Sequence, residues 1–218
     1  MGIFVLIIFA AKVSGSHYNP AITVAFMLRK DIGGFSRPLG VAYIIAQVLG
    51  GFVASIIAAI FRAEATTFGI DSAKYIFPGM ASETIGAFFV CFLYLTQTAK
   101  KTKISEDPAI TTLIIASAYL ASMLLVSGPD DYLSPLNPAV SLGIMFQQAF
   151  NKVGKGFAYI YVYLPFPLLG GLCAVLFYEK VYKRVQDTIE ESEGLDGGHG
   201  HVEGGVLDEE DETHIQRA

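Results

Sequence analysis

The tripeptide Asn-Pro-Ala occurs twice in this chain, at Asn19-Pro20-Ala21 and at Asn137-Pro138-Ala139, and each copy stands between strongly apolar stretches. Asn is a favoured N-cap of an α-helix, and Pro fits the first helical position because its missing N–H would have no partner there. Two such helix starts, 118 residues apart, predict a duplicated unit that brings two helix N-termini to the middle of a membrane. Backbone N–H groups left unpaired inside a bilayer require a polar cavity or channel at that point.

The composition is that of a membrane protein. Hydrophobic residues make up 53% of the 218 residues, charged residues make up 16%, and the mean hydropathy is +0.50. Long runs with at most one charged residue lie at 39–61, 77–99, 108–129 and 156–178. Each run can cross an apolar core of ~30 Å as a helix that rises about 1.5 Å per residue. We therefore predict an all-α integral membrane protein.

The two motifs lie in longer repeated blocks. Each half contains an apolar span, a loop, Asn-Pro-Ala, a short helix, a polar turn, and a long span with a glycine pair, at 50–51 and 170–171. The second half has two full spans before its motif, whereas the first has only a short apolar stretch before Lys12. By symmetry, one helix and part of another are expected ahead of Met1. The predicted fold is therefore an inverted repeat with two re-entrant half-helices that is N-terminally truncated.

Charge divides the chain into two parts. The net charge of −5 hides a tail that carries eleven acidic residues and one Arg after residue 186. We predict a transmembrane domain over residues 1–184 and a disordered acidic tail over residues 185–218. Nine basic residues fall on one predicted side of the membrane and four on the other, so the richer side, with the tail, is expected to face the cytoplasm or an organelle matrix. The plasma membrane and an organelle such as the mitochondrion both fit.

The residues around the two motifs carry a family resemblance. Residues 14–23 read Ser-Gly-Ser-His-Tyr-Asn-Pro-Ala-Ile-Thr, and residues 137–143 read Asn-Pro-Ala-Val-Ser-Leu-Gly. They resemble the Ser-Gly-x-His-x-Asn-Pro-Ala-Val-Thr and Asn-Pro-Ala-Arg-Ser-x-Gly signatures of the major intrinsic protein family, the aquaporins and aquaglyceroporins. The resemblance implies an aquaporin-like fold of six spans and two half-helices, usually assembled as tetramers. This chain would lack the first helix and part of the second.

The resemblance also implies where a pore would be lined. Asn19 and Asn137 would offer side-chain N–H donors to a passing oxygen, between two half-helix dipoles that repel cations. Val140 stands where the family has an Arg that narrows the outer mouth, and Ser134 falls at the loop position of the same constriction. A conducting pore would therefore be wider and less selective for water.

Two further polar residues are expected to support the loops. A carboxyl group inside a span needs internal partners, and the family resemblance implies that Glu83 accepts hydrogen bonds from the backbone of the re-entrant loop. A proton or ion relay is the alternative for Glu83. His17 is expected to bond to loop backbone, with a pore-lining or gating role as its alternative.

Two functions fit this sequence. The first is a passive membrane channel for water or small uncharged solutes with an altered selectivity filter. The second is a non-conducting structural subunit that docks onto a larger membrane assembly, such as a bioenergetic complex. The expected partners are the lipid bilayer and either other membrane proteins or further copies of the chain, which would cover the missing helices. Because the sequence has no nucleophile–base pair, metal-ligand spacing or phosphate loop, we predict no enzyme activity, cofactor, metal or nucleic-acid partner.

Overall fold

A computed structural model of the chain describes residues 2–30, 35–62, 70, 73–126, 134–151 and 156–199. All regular structure within these residues is helical. The α-helices are α1 (Gly2–Ser14), α2 (Pro20–Leu28), α3 (Arg37–Arg62), α4 (Ile76–Thr98), α5 (Pro108–Val126), α6 (Pro138–Phe150), α7 (Ile160–Tyr163), α8 (Pro165–Phe177) and α9 (Lys183–His199). A 3-10 turn, Ala73–Tyr75, precedes α4, and a π-turn, Tyr178–Tyr182, joins α8 to α9.

Four helical segments are long and apolar enough to cross a membrane: Arg37–Phe61, Ile76–Thr98, Pro108–Val126 and Ile160–Ser192. They overlap the four spans predicted from the sequence, and α1 is a shorter apolar helix. The predicted all-α integral membrane fold is therefore confirmed. The last residues of the predicted third span, 127–129, lie outside the described residues.

The two half-helices pack in equivalent ways in the two halves of the chain. The first, α2, packs mainly on α8 of the second half, and α6 packs mainly on α3 of the first half. Around them α1 packs on α5, while α4 lies against both α5 and α8. This exchange of contacts between halves is the inverted repeat that the duplicated motifs predict.

Two glycines let the half-helices approach the long helices closely. A Cβ atom on Gly171 of α8 would stand 2.7 Å from the carbonyl oxygen of Ala21, and one on Gly51 of α3 would stand 2.4 Å from that of Ala139. Both distances are too short for real Cβ atoms. The second glycine of each predicted pair therefore sets how deeply a half-helix sits in the bundle.

Arg29, the residue that follows α2, ties one end of the bundle together. Its guanidinium donates to the Leu95 carbonyl at 3.3 Å and to the Thr98 hydroxyl at 3.2 Å, both near the end of α4. It also donates to the Tyr178 hydroxyl at 3.3 Å and lies over the same ring, 4.9 Å from its centroid. The ends of α2, α4 and α8 therefore meet at one end of the bundle. Which side of the membrane this end faces stays a prediction.

The acidic tail begins differently from the prediction. The sequence predicts disorder from residue 185, whereas α9 continues as a helix to His199. Lys101, in the loop after α4, pairs with Glu190 at 3.0 Å and with Asp187 at 3.1 Å, and these hydrogen bonds raise the pKa of Lys101. Extending an existing helix costs far less than nucleating one, so α9 can follow the membrane helix despite its charge. Residues 200–218 of the predicted tail lie outside the described residues.

Replacing Gly171 with Ala should destabilise the fold, because the added methyl group meets the backbone of α2. We expect the free energy of unfolding to fall by ~1–3 kcal/mol, read as a lower midpoint of thermal unfolding in detergent. Cys173→Ala is the matched control, since Cys173 is exposed on the same helix. Equal midpoints for the two variants would contradict the close approach of α2 and α8.

Candidate functional site: the meeting point of two half-helices

Both half-helices begin with the same capping hydrogen bond. The Oδ1 atom of Asn19 accepts from the backbone N–H of Ala21 at 2.9 Å, and Oδ1 of Asn137 accepts from that of Ala139 at 3.1 Å. Both caps have an extended backbone, and a proline follows each as the first helical residue. Each Asn-Pro-Ala motif is therefore a capped helix start, as the sequence predicts.

Each capping side chain also binds the loop that leads into the other motif. Nδ2 of Asn19 donates to the carbonyl of Leu136 at 2.9 Å, and Nδ2 of Asn137 donates to the carbonyl of Tyr18 at 2.9 Å. Tyr18 and Leu136 have φ values of +48° and +54°, which residues other than glycine rarely adopt. These two residues occupy the same position before each Asn. The two helix starts therefore meet head to head.

The two helix N-termini create a positive electrostatic potential where they meet. Each helix N-terminus carries roughly half a positive elementary charge, and two of them point at one region of the bundle. Pro20 and Ala21 of α2 are buried, as are Pro138 and Ala139 of α6, so little water screens this region. Such a site repels a cation, whereas a neutral molecule with an oxygen atom can accept a hydrogen bond there.

Glu83 of α4 holds the loop before the second motif. Its carboxyl oxygens accept from the Ser134 hydroxyl at 2.8 Å and from the backbone N–H of Leu136 at 3.1 Å. Glu83 is fully buried. The backbone hydrogen bond predicted for this carboxyl group is therefore present. It fixes Leu136, whose carbonyl in turn accepts from Asn19.

Ser134, predicted at the loop position of the constriction, lies inside the protein beside Glu83. Its side chain is fully buried, and its hydroxyl is used by Glu83 rather than presented to an opening. In the structure Ser134 supports the loop.

His17 is enclosed by aromatic rings. Phe26, Phe35 and Tyr43 have their ring centroids 4.4, 5.1 and 5.6 Å from that of His17. Its Nδ1 lies 3.2 Å from the Thr23 hydroxyl, so the hydrogen bond is to a side chain and not to the predicted loop backbone. The residue is 4% exposed. These contacts make His17 a support of the first loop.

Val140 lies on the wall of an open groove of about 350 Å³ between α1, α5 and α6. The Val140 side chain is 42% exposed. Asn137 also lines the groove, together with Met123 and Tyr119 of α5. The residue directly after the second motif is therefore apolar, and it lines the groove that leads to the meeting point of the half-helices.

Three hydrogen bonds of the site were not predicted from the sequence. The Tyr119 hydroxyl accepts from Nδ2 of Asn19 at 3.1 Å. The Thr23 hydroxyl accepts from Nε2 of Gln47 at 2.9 Å and donates to the Asn19 carbonyl at 3.1 Å. A Tyr in the middle of an apolar span was the available signal, because a buried phenol usually needs a hydrogen-bond partner. No comparable signal marks Thr23.

The fold and these contacts define an integral membrane protein built as an inverted repeat around two re-entrant half-helices. The sequence profile of the major intrinsic protein family matches residues 1–178. The chain belongs to this family.

Known relatives agree with that assignment. A protein of Oryza sativa subsp. japonica described as probable aquaporin TIP2-2 is 33% identical over 184 residues, which cover 83% of this chain and 68% of the relative. The glycerol uptake facilitator protein of Bacillus subtilis is 27% identical over 78% of this chain and 65% of its own length. The aquaglyceroporin structure from Plasmodium falciparum has the same fold, with a TM-score of 0.66 at 20% identity over 85% of this chain and 80% of that chain. These relatives are channel proteins and not enzymes.

Replacing Glu83 with Gln should weaken the second loop, because an amide nitrogen cannot accept a hydrogen bond. One buried donor, from Ser134 or Leu136, loses its partner, at a cost of ~1–3 kcal/mol in the free energy of unfolding. Thermal unfolding in detergent measures the loss. Ser134→Ala is the matched comparison and should cost less, since it leaves the hydrogen bond to Leu136 in place. A Gln variant more stable than the Ala variant would contradict the supporting role of Glu83.

Proposed function

We propose that this chain forms a passive channel for water or small uncharged solutes. The observation that carries the proposal is the head-to-head meeting of α2 and α6, with the amides of Asn19 and Asn137 exchanged between the loops. A membrane-buried junction of two helix N-termini favours neutral oxygen-bearing molecules over cations. The described relatives, a probable aquaporin and a glycerol uptake facilitator, support the same class of permeant.

The selectivity filter of this channel is altered at Val140. A valine has neither the positive charge nor the five N–H donors of the arginine that the family resemblance implies at this position. It lines the groove beside Asn137 with much of its surface exposed. The Val140 side chain offers a permeant no hydrogen bond, so at this position the mouth discriminates little between water and larger neutral solutes.

Stopped-flow swelling of proteoliposomes tests the channel and its mouth together. The purified protein should pass water faster than empty vesicles do, without an ionic current. Val140→Arg should lower the water permeability by about twofold or more, because the long side chain fills part of the groove. Val140→Ala is the matched control and should conduct at least as well as the parent.

Two results would contradict this proposal. Swelling of the parent at the rate of empty vesicles removes the channel. Equal permeability of the Arg variant and the parent shows that the groove beside Val140 is not on the path.

A second candidate function is supported by one face of α3. Gly170 of α8 packs closely on α4, where an added Cβ would stand 2.4 Å from the Thr84 carbonyl oxygen. At Gly50, the equivalent position of α3, an added Cβ would have no atom within 4 Å among the described residues beyond its own turn of helix. The symmetry of the repeat therefore leaves room for a helix on α3 at this point. We propose that a membrane partner or another copy of the chain supplies such a helix, as in a structural subunit of a larger complex.

Replacing Gly50 with Leu tests this docking face. In native membranes, we expect the parent to migrate in a high-mass complex on a native gel and the Leu variant to be lost from it, because the side chain blocks close helix approach. Val185→Leu is the control, since Val185 lies exposed on α9, away from α3. An unchanged complex in the Gly50 variant would rule out this face as the docking site.

A further inference from the structure

The two capping amides differ in how many of their N–H donors are already used. An Asn side chain has two such donors. Asn19 gives one to the Leu136 carbonyl and the other to the Tyr119 hydroxyl, and it is fully buried. Asn137 gives one to the Tyr18 carbonyl, and the hydrogen bonds of the described residues leave its other N–H for a further acceptor. The internal symmetry of the site is therefore broken at one atom, the oxygen of Tyr119.

Tyr119 lies where the groove meets the junction of the half-helices. Its side chain is 7% exposed and shares the groove wall with Asn137 and Val140. Met123, one helical turn further along α5, lines the same wall. The ring therefore forms the inner end of the groove, with its hydroxyl directed at Asn19.

We propose that Tyr119 is the specificity-determining constriction of this channel. Its hydroxyl takes the place beside Asn19 that the oxygen of a permeating molecule would otherwise take, and its ring narrows the path at the half-helix junction. The proposal rests on the channel function proposed above. The narrowest point of the pore is then at its centre, beside Tyr119, and not at the outer mouth, where Val140 discriminates little between water and larger solutes.

The consequence concerns the class of permeant. A molecule at the centre meets one amide donor, from Asn137, instead of two. Water can pass such a point by accepting a single hydrogen bond, whereas a polyol with several hydroxyl groups needs more room and more partners. The parent protein is therefore a water-selective channel with a wide mouth.

The test compares Tyr119→Val, which removes the ring, with Tyr119→Phe, which removes only the hydroxyl. In proteoliposomes, the Val variant should raise glycerol permeability by about threefold or more and water permeability by less. The Phe variant frees one N–H of Asn19 without widening the path, so it should raise glycerol permeability by less than the Val variant does. Tyr161→Val is the control, because the Tyr161 ring is 46% exposed on α7. Tyr119→Leu keeps most of the buried apolar volume and replaces the Val variant if the latter does not fold.

A second readout does not require conduction. Cys91 is fully buried in the same apolar cluster as Tyr119. In a Cys173→Ala background, Tyr119→Val should speed the reaction of Cys91 with methyl methanethiosulfonate by about tenfold, because the inner end of the groove opens.

The two readouts separate the two proposals. If Cys91 of the Val variant is labelled faster, Tyr119 closes the inner end of the groove. If the parent and variant vesicles nevertheless swell no faster than empty vesicles, the protein is not a channel. Glycerol permeability and Cys91 labelling that both stay at the parent level in the folded Val variant overturn the role of Tyr119.

Discussion

The structure depends on one pair of hydrogen bonds, in which each capping Asn donates to the carbonyl before the other cap. Inside a bilayer there is no bulk water to satisfy a helix that starts halfway across, so its polar groups must find partners within the protein. Here each half of the chain supplies those partners for the other half. Neither Asn19 nor Asn137 can be fully paired by its own repeat. The two halves therefore fold around a shared polar centre in an otherwise apolar bundle.

The other contacts of the site hold this pair in register. Glu83 fixes the backbone of Leu136, which presents its carbonyl to Asn19, and Thr23 ties the Asn19 carbonyl to Gln47. The glycines of α3 and α8 set how closely the half-helices approach the long helices. A buried carboxyl group and residues with a left-handed backbone conformation are each unfavourable alone. Here one network of hydrogen bonds stabilises them together. Removal of one member would misalign the donors and carbonyls that define the centre.

The sequence predicted what is local and repeated. Helix caps and apolar spans follow from short-range chemistry, and a carboxyl group in lipid needs a partner. That the partner of Glu83 is the re-entrant loop came from the family resemblance. The hydrogen bond from Ser134 to Glu83 was not foreseen, because it joins residues 51 positions apart. Tyr119 was missed because its contact with Asn19 joins residues 100 positions apart. The helical start of the tail was missed because charge density alone ignored the membrane helix that continues into α9.

A direct measurement of the central contact is the dipolar coupling between the Asn19 side-chain ¹⁵N and the Leu136 carbonyl ¹³C, by solid-state NMR of the protein in lipid. We expect clear dephasing at long mixing times, because a nitrogen hydrogen-bonded about 3 Å from the carbonyl oxygen lies roughly 4 Å from the carbonyl carbon. The Asn19→Asp variant, which has no side-chain nitrogen, gives the blank. Dephasing of the parent no greater than that blank would mean that the two half-helices do not meet.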